Sequence, residues 1–336
     1  MIQKLLKKDK ISKFISAVTN ADYSIYGPVK LANQVSLTRV SGEDEIIFDY
    51  AFFKLPAKNH FFPRSELFFS YESGSINETN PQNKKTILFG LRSCDAMSLL
   101  YLDKVFADDK YPDPYYKNWR ETTLIITIAC KEPLTTCFCT SVGGSPSSKK
   151  GSDIIIFEVE DSLLLESCSE KGEVFLKPFL NFFEKPSKED IDYAKKQTYA
   201  AEKKVNKIDI AGISNKLKDK FYDSVWDELA LRCLGCGVCT YLCPTCYCFG
   251  LYDEKTGSKI KRIRVQDSCM YPSFTLEASG HNPRKNTNDR MRQRLMHKFH
   301  YTSLNFEDTF CVGCGRCIKY CPVNMDIREN ILEVIS

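Results

Sequence analysis

Several features that mark common protein classes are missing from this chain of 336 residues. No stretch reaches the roughly 18 consecutive apolar residues of a membrane span. Residues 1–10 are charged throughout and lack the apolar run and cleavage site of a signal peptide. The net charge of +4 gives no nucleic-acid signature. We therefore expect a cytoplasmic protein that binds no nucleic acid and does not itself insert into a membrane.

Nucleotide-binding motifs are missing as well. The chain has no G-x-G-x-x-G after a predicted strand and no G-x-x-x-x-G-K-[ST] loop. The flexible segment at residues 143–150 contains Gly143, Gly144 and two lysines but does not match the phosphate-binding pattern. We predict that the chain has no nucleotide site of its own.

Cysteine, by contrast, is abundant, with sixteen residues in the chain. Eight of them form two copies of one run, C-x2-C-x2-C-x3-C-P: Cys233, Cys236, Cys239 and Cys243 before Pro244, then Cys311, Cys314, Cys317 and Cys321 before Pro322. This run is typical of bacterial iron–sulfur proteins that hold two [4Fe–4S] clusters. Glycines between the ligands let the backbone pass close to a cluster.

The fourth cysteine of each run lies too far along the chain to reach the cluster that the first three hold. In two-cluster proteins it ligates the other cluster. We therefore assign Cys233, Cys236, Cys239 and Cys321 to one cluster, and Cys311, Cys314, Cys317 and Cys243 to the other. The alternative is a non-redox protein with two structural zinc sites. Zinc ligands usually come as two separated C-x2-C pairs, so four cysteines within eleven residues fit zinc poorly.

Four further cysteines lie near the ends of predicted strands. Residues 86–91 and 123–129 predict buried strands, followed by Cys94 and Cys130 respectively, and Cys137 and Cys139 come shortly after. Ligand sites on open sheets tend to lie at such strand ends. Spacing alone leaves three interpretations open for this group: a third [4Fe–4S] cluster, a structural zinc site, or buried thiols.

The remaining cysteines are Cys168, Cys246, Cys248 and Cys269. We interpret the lone Cys168 as structural. Cys246, Cys248 and Cys269 either surround a cluster or form a further cofactor site, and the first interpretation is favoured. The basic runs at 259–264 and 284–300 either dock an acidic partner or form a solvated helix face that offsets cluster charge, again with the second favoured. His297 and His300 lack a third ligand for a metal site.

The apolar pattern predicts an α+β fold. Helical spacing covers residues 2–18, and strand-like runs cover 23–31, 34–40 and 45–53. A hairpin follows at 153–166, and a capping-box helix begins after Ser187. We expect a mixed α/β domain at 1–186, a helical linker at 187–220, and a mainly helical, ferredoxin-like dicluster domain at 221–336.

The chain resembles the 4Fe–4S dicluster family, which includes the beta subunit of cytoplasmic sulfhydrogenases and an iron–sulfur subunit of anaerobic sulfite reductase. The resemblance spans most of the chain and rests on residues 62–67, 89–95, 137–139, 243–249, 266–269, 280–284 and 310–317. Gln266 stands where relatives often carry an aromatic residue.

The resemblance implies an electron-transfer subunit with no catalytic residues of its own. Such a subunit would relay electrons between a flavin- or NAD(P)-binding partner and a catalytic subunit, with ferredoxin as a further candidate partner. Cysteines recur among family members at the positions that match Cys94, Cys130, Cys137 and Cys139, which favours a third cluster there. Clusters of this type are often oxygen-sensitive, so we expect an anaerobic protein. The alternative within the resemblance is a heterodisulfide-reductase-like assembly in which a non-standard cluster at Cys246, Cys248 and Cys269 acts on substrate.

Overall fold

The computed structural model describes residues 2–42, 44–79 and 84–336. The strands are β1 (Gln3–Lys7), β2 (Ser24–Leu31), β3 (Gln34–Val40), β4 (Ser65–Glu72), β5 (Ser75–Glu78), β6 (Thr86–Leu91), β7 (Thr123–Ile128), β8 (Ile154–Val159), β9 (Ser162–Ser167), β10 (Phe249–Thr256) and β11 (Lys259–Gln266). The helices are α1 (Ile11–Asn20), α2 (Lys58–Phe61), α3 (Ser93–Phe106), α4 (Pro114–Thr122), α5 (Glu170–Leu176), α6 (Lys188–Lys204), α7 (Ile213–Asp219), α8 (Val225–Leu231), α9 (Val238–Tyr241), α10 (Thr287–Met296), α11 (Thr302–Phe306), α12 (Arg316–Lys319) and α13 (Ile327–Ile335). The mixture confirms an α+β fold.

Seven strands of the described residues form one mixed sheet in the order β1-β9-β8-β7-β6-β2-β3. The central strands β2, β6, β7 and β8 are parallel, and the outer pairings are antiparallel. Both faces are covered: Ile87 and Phe89 pack into one core cluster, and Leu88 and Leu91 into another. Since the carboxyl ends of parallel strands share an edge, β6 and β7 bring Cys94 and Cys130 to the same side.

A second sheet in the described part of the chain has the order β10-β11-β4-β5 and is antiparallel. Its central pairing joins Arg262 of β11 to Phe69 of β4. The buried guanidinium of Arg264, two residues further along β11, forms ion pairs with Glu66 and Asp113. This sheet therefore joins strands from the N-terminal and C-terminal halves of the chain. The division into 1–186, 187–220 and 221–336 stays a prediction.

Several predicted elements match the structure. β3 and β6 have the predicted bounds, and β8 and β9 form the predicted hairpin. Helix α6 begins with the capping box expected from Ser187, whose side chain accepts from Asp190 N while the Asp190 carboxylate accepts from Ser187 N. These elements were predictable because their signals are local: continuous apolar runs and a four-residue cap.

Two predicted elements are wrong. Residues 3–7 form an edge strand rather than the start of a helix, with Leu5 and Leu6 buried in different core clusters. A strand covered on both faces mimics helical spacing over so short a run. Residues 45–53 form no strand. The Arg92 guanidinium donates hydrogen bonds to backbone carbonyls of this segment, including those of Tyr50 and Ala51, so these carbonyls do not pair with a neighbouring strand. No helix among the described residues is long and apolar enough to span a bilayer.

Candidate metal centres

The first centre consists of Cys233, Cys236, Cys239 and Cys321. All four thiols line one cavity, which Cys317 and Arg294 also border. Three of the four come from the first motif and one from the second, as the predicted exchange of fourth ligands requires. Two distant segments of the chain therefore build one cavity together.

Both motif copies fold into a loop followed by one short helix. Gly237 (φ 74°) directly precedes α9, and Gly315 (φ 75°) directly precedes α12. Gly235 and Gly313 are left-handed as well, with φ of 66° and 60°. L-residues pay a steric cost in this conformation and glycine does not. The glycines of the motif are thus required by the shape of the loop.

The predicted second centre comprises Cys243, Cys311, Cys314 and Cys317. Burial, together with the smaller effect of the nearby Cys243 charge, raises the pKa of Cys311 to about 11 and that of Cys317 to about 12. Cys243 differs: a hydrogen bond from the Cys246 thiol and the Lys298 charge hold its pKa well below the usual range. Lys298 Nζ donates to Cys243 Sγ at 3.1 Å. These contacts favour the thiolate of Cys243, the form that binds metal.

The N-terminal centre consists of Cys94, Cys130, Cys137 and Cys139. These four thiols line a second cavity, whose wall also includes Cys314 and Gly313. Cys94 lies in the first turn of α3, directly after β6, and Cys130 lies just past β7. The structure therefore brings together the four cysteines that the sequence placed near strand ends, at an edge where ligand sites form.

The N-terminal centre and the second centre are in direct backbone contact. Phe138 N donates to Gly313 O at 2.8 Å, and the Cys137 thiol lies 3.6 Å from the carbonyl oxygen of Cys314. A Cβ on Gly313 would lie 2.5 Å from Cys139 N, and one on Gly315 would lie 2.5 Å from Thr136 O. These glycines therefore also permit the close approach of the two cysteine loops, a role that the sequence did not reveal.

Buried cations surround the second centre. Arg294 and Lys298 are each 4% exposed and Arg316 is fully buried. Arg294 Nε and Nη2 and Arg316 Nη1 have no hydrogen-bond partner among the described residues. Buried charges are costly unless they meet opposite charge. A cubane held by four thiolates is an anion with sulfur acceptors, so the residues present fit such clusters. The solvated helix face expected for 284–300 is therefore wrong at Arg294 and Lys298, whose charges lie where they offset cluster charge.

A fully buried ion pair links the same two centres. Arg316 Nη2 donates to Asp95 Oδ2 at 2.8 Å, and both side chains are inaccessible to solvent. Arg316 lies between Cys314 and Cys317 in the second motif, whereas Asp95 directly follows Cys94. Arg316 Nε also donates to Phe53 O at 2.9 Å. The pair holds the second motif against the N-terminal cysteine loop.

Of the four remaining cysteines, three contact another thiol and one does not. Cys246 contacts Cys243 through a thiol–thiol hydrogen bond, and Cys248 contacts Cys269 in the same way. Cys168 lies apart, its thiol 3.6 Å from the carbonyl oxygen of Glu166. Cys246 therefore lies beside Cys243, a predicted ligand, and its role around a cluster stays a prediction.

The histidines of the basic helix face hydroxyl groups. His297 Nε2 lies 2.9 Å from the Tyr247 hydroxyl, and His300 Nδ1 lies 2.9 Å from the Ser214 hydroxyl. Across residues 2–42, 44–79 and 84–336, no three His, Cys, Asp or Glu side chains are grouped closely enough to hold a single metal ion. The thiols of the first and N-terminal centres line the walls of their cavities instead.

Comparison with known proteins matches these features. Residues 232–325, which contain both cysteine motifs, match the family model of the 4Fe-4S dicluster domain. Over 316 residues the chain is 34% identical to the sulfhydrogenase 2 subunit beta of Pyrococcus furiosus, and the alignment covers 92% of each chain. The C-terminal part is thus a dicluster domain for two [4Fe–4S] clusters, and the likeness extends through the N-terminal part.

Proposed function

Because the chain belongs to the sulfhydrogenase beta-subunit family, we propose that it is an iron–sulfur electron-transfer subunit of a multi-subunit oxidoreductase. It relays electrons between a flavin- or NAD(P)-binding partner and a catalytic subunit of the hydrogenase or sulfite-reductase kind. Bound clusters would supply one-electron oxidation and reduction. The residues of this chain hold the clusters in a row and set their potentials through burial, charge and hydrogen bonds to sulfur.

One observation carries the proposal: the thiols of three centres form a continuous series. Cys314 belongs to the second centre and borders the N-terminal cavity, and Cys317 belongs to the second centre and borders the first cavity. The second centre therefore lies between the other two. A storage site or a structural metal has no need of such adjacency, whereas a relay depends on it. The third [4Fe–4S] cluster, at the N-terminal centre, is part of the proposal.

A partner subunit would dock at the first centre, because this centre has an exposed cysteine. All sixteen cysteines lie within the described residues, and Cys236 alone among them is exposed. Its neighbour Leu234 is 68% exposed. A partner docking here approaches a ligand of the first centre without rearrangement of the chain. Lys54 and Arg64 border an open cleft beside Cys236, and their charges favour an acidic partner surface.

The test is an anaerobic count of iron, sulfide and zinc per chain, with EPR of the dithionite-reduced protein. About twelve irons with coupled signals support three [4Fe–4S] clusters. About eight irons keep the dicluster domain and remove the third cluster. Zinc without iron overturns the proposal. Turnover of a thiol, disulfide or sulfite by the isolated chain with an artificial donor would establish the catalytic alternative instead.

A further inference from the structure

Cys248 and Cys269 form a pair of thiols that no cluster of the dicluster motif uses. Cys248 lies at the open end of the β10–β11 hairpin, where its carbonyl accepts from Asp267 N at 2.9 Å. The chain then turns back, so that both the backbone N–H and the thiol of Cys269 hydrogen-bond to the Cys248 sulfur. Cys269 is 6% exposed, and Cys248 is half-buried. The hairpin thus holds two thiols in contact.

The pair lies beside both C-terminal centres. Cys246, two residues before Cys248, hydrogen-bonds to Cys243 of the second centre. On the other side, the Ser268 hydroxyl lies 2.7 Å from that of Thr240 in α9, the helix that carries Cys239 of the first centre. The thiol pair therefore has a short covalent and hydrogen-bonded connection to each centre.

Buried positive charge faces the same group of thiols. Lys58 is 2% exposed, and its ammonium donates to Cys246 O at 2.8 Å and Thr240 O at 3.3 Å. Lys298 lies across the group on Cys243. The positive charges of Lys58 and Lys298 also act on Cys248. Cationic surroundings stabilise a thiolate, the form in which a cysteine exchanges electrons.

Resting on the function proposed above, we propose that Cys248 and Cys269 form a redox-active dithiol–disulfide couple. In the oxidising direction one S–S bond forms, the two thiol protons leave to solvent past the half-buried Cys248, and two electrons are released, which oxidised clusters bound at the first and second centres would accept one at a time. The reverse step takes two electrons and two protons and breaks the bond. The couple stores two electrons between a two-electron partner and one-electron clusters.

The first experiment maps thiols in the full-length, cluster-loaded protein, poised anaerobically at a low and a high potential at which iron content is equal. Each sample is denatured with chelator and N-ethylmaleimide, digested and analysed by mass spectrometry. We expect a peptide joining Cys248 to Cys269 at high potential, and both residues alkylated at low potential. Cys168, which lies apart from all centres, is expected to be alkylated in both samples. Alkylation of Cys248 and Cys269 at both potentials overturns the couple and leaves the relay intact.

A second measurement protects the inference from a folding artefact. In a reductive titration, the Cys248→Ser and Cys269→Ser variants should each take up two electrons per chain fewer than the control variant Cys168→Ser, with unchanged iron content. The contradicting outcome is an unmodified protein with about sixteen irons and a variant that loses about four of them. The thiols would then be ligands of a fourth cluster, and the couple would be overturned. Zinc in place of iron would remove the relay itself, and with it the electron acceptor.

Discussion

The two motif copies share cysteine spacing and left-handed glycines but lie in different surroundings. In the first copy, Cys236 is exposed and Leu234 is 68% exposed. In the second, Cys314 is 8% exposed and Val312, at the position equivalent to Leu234, is 2% exposed. The spacing therefore specifies the ligand loop, whereas the residues between the ligands decide whether the loop faces solvent or the interior.

The position before the third cysteine shows the same contrast. The first copy has the half-buried Val238 there, and the second has the fully buried Arg316, paired with Asp95. One substitution within the repeat thus attaches the second loop to the N-terminal cysteines. In the function proposed above, the exposed copy would contact a partner and the buried copy would pass electrons within the chain.

Replacing one ligand in each copy should give the largest difference. Cys236→Ser removes a ligand of one cavity, and we expect a loss of about four irons at most. Cys314→Ser removes a ligand of the second centre and alters the wall of the N-terminal cavity, so the expected loss is about eight irons, from both centres. Both variants should lose electron transfer through the complex. Cys168→Ser is the control, and equal iron loss in the two motif variants would contradict a shared wall.

The buried ion pair gives the next largest effect. Asp95→Asn leaves the Arg316 guanidinium buried without its carboxylate, and removing one partner of such a pair costs about 3–5 kcal/mol. The Arg232–Glu333 pair, 2.6 Å apart with side chains 48% and 34% exposed, is the control. Glu333→Gln should cost less than about 1 kcal/mol. The measurement is anaerobic urea unfolding at constant iron content, and equal costs would show that Asp95 contributes little.

The sequence predicted the parts of the site that depend on local order. Cys94 and Cys130 follow continuous apolar runs, so their arrival at one sheet edge could be expected once β6 and β7 were recognised. The motif cysteines were predictable because the spacing itself meets the ligand geometry. No distant pairing had to be known for either inference.

The rest depended on distant pairings that no local pattern reveals. Strand β11 pairs with β4, and Arg316 pairs with Asp95, although the partners lie in opposite halves of the chain. The burial of Lys298 was mispredicted for a related reason. Charge runs usually face water, and only a cysteine-rich interior makes a buried ammonium favourable. Contacts that depend on a bound cluster cannot be deduced from charge patterning alone.

Alanine at equivalent glycines tests the contact between the loops. Gly235 and Gly313 have similar φ values of 66° and 60°, so alanine meets similar backbone strain of about 1–2 kcal/mol at both. At Gly313 the new Cβ also lies 2.5 Å from Cys139 N, whereas at Gly235 the nearest atom is 4.0 Å away. Overpacking adds about 1–3 kcal/mol at Gly313 only. The difference between the two urea midpoints measures the packing contribution, and its absence would show that the loops separate freely.

The pH dependence of stability compares a partly buried histidine from each half of the chain. Burial lowers the pKa of His60 and of His297 to about 4. Below about pH 6.5 the unfolded chain therefore binds protons that the folded chain does not, and stability falls as the pH drops from 6.5 towards 4. Each histidine contributes at most about 1.4 kcal/mol per pH unit. His60→Gln and His297→Gln should each flatten this slope in urea unfolding with iron content checked at every pH, whereas the exposed His281→Gln should not. A slope unchanged in both variants would mean that carboxylates or acid loss of the clusters, rather than these imidazoles, control acid stability.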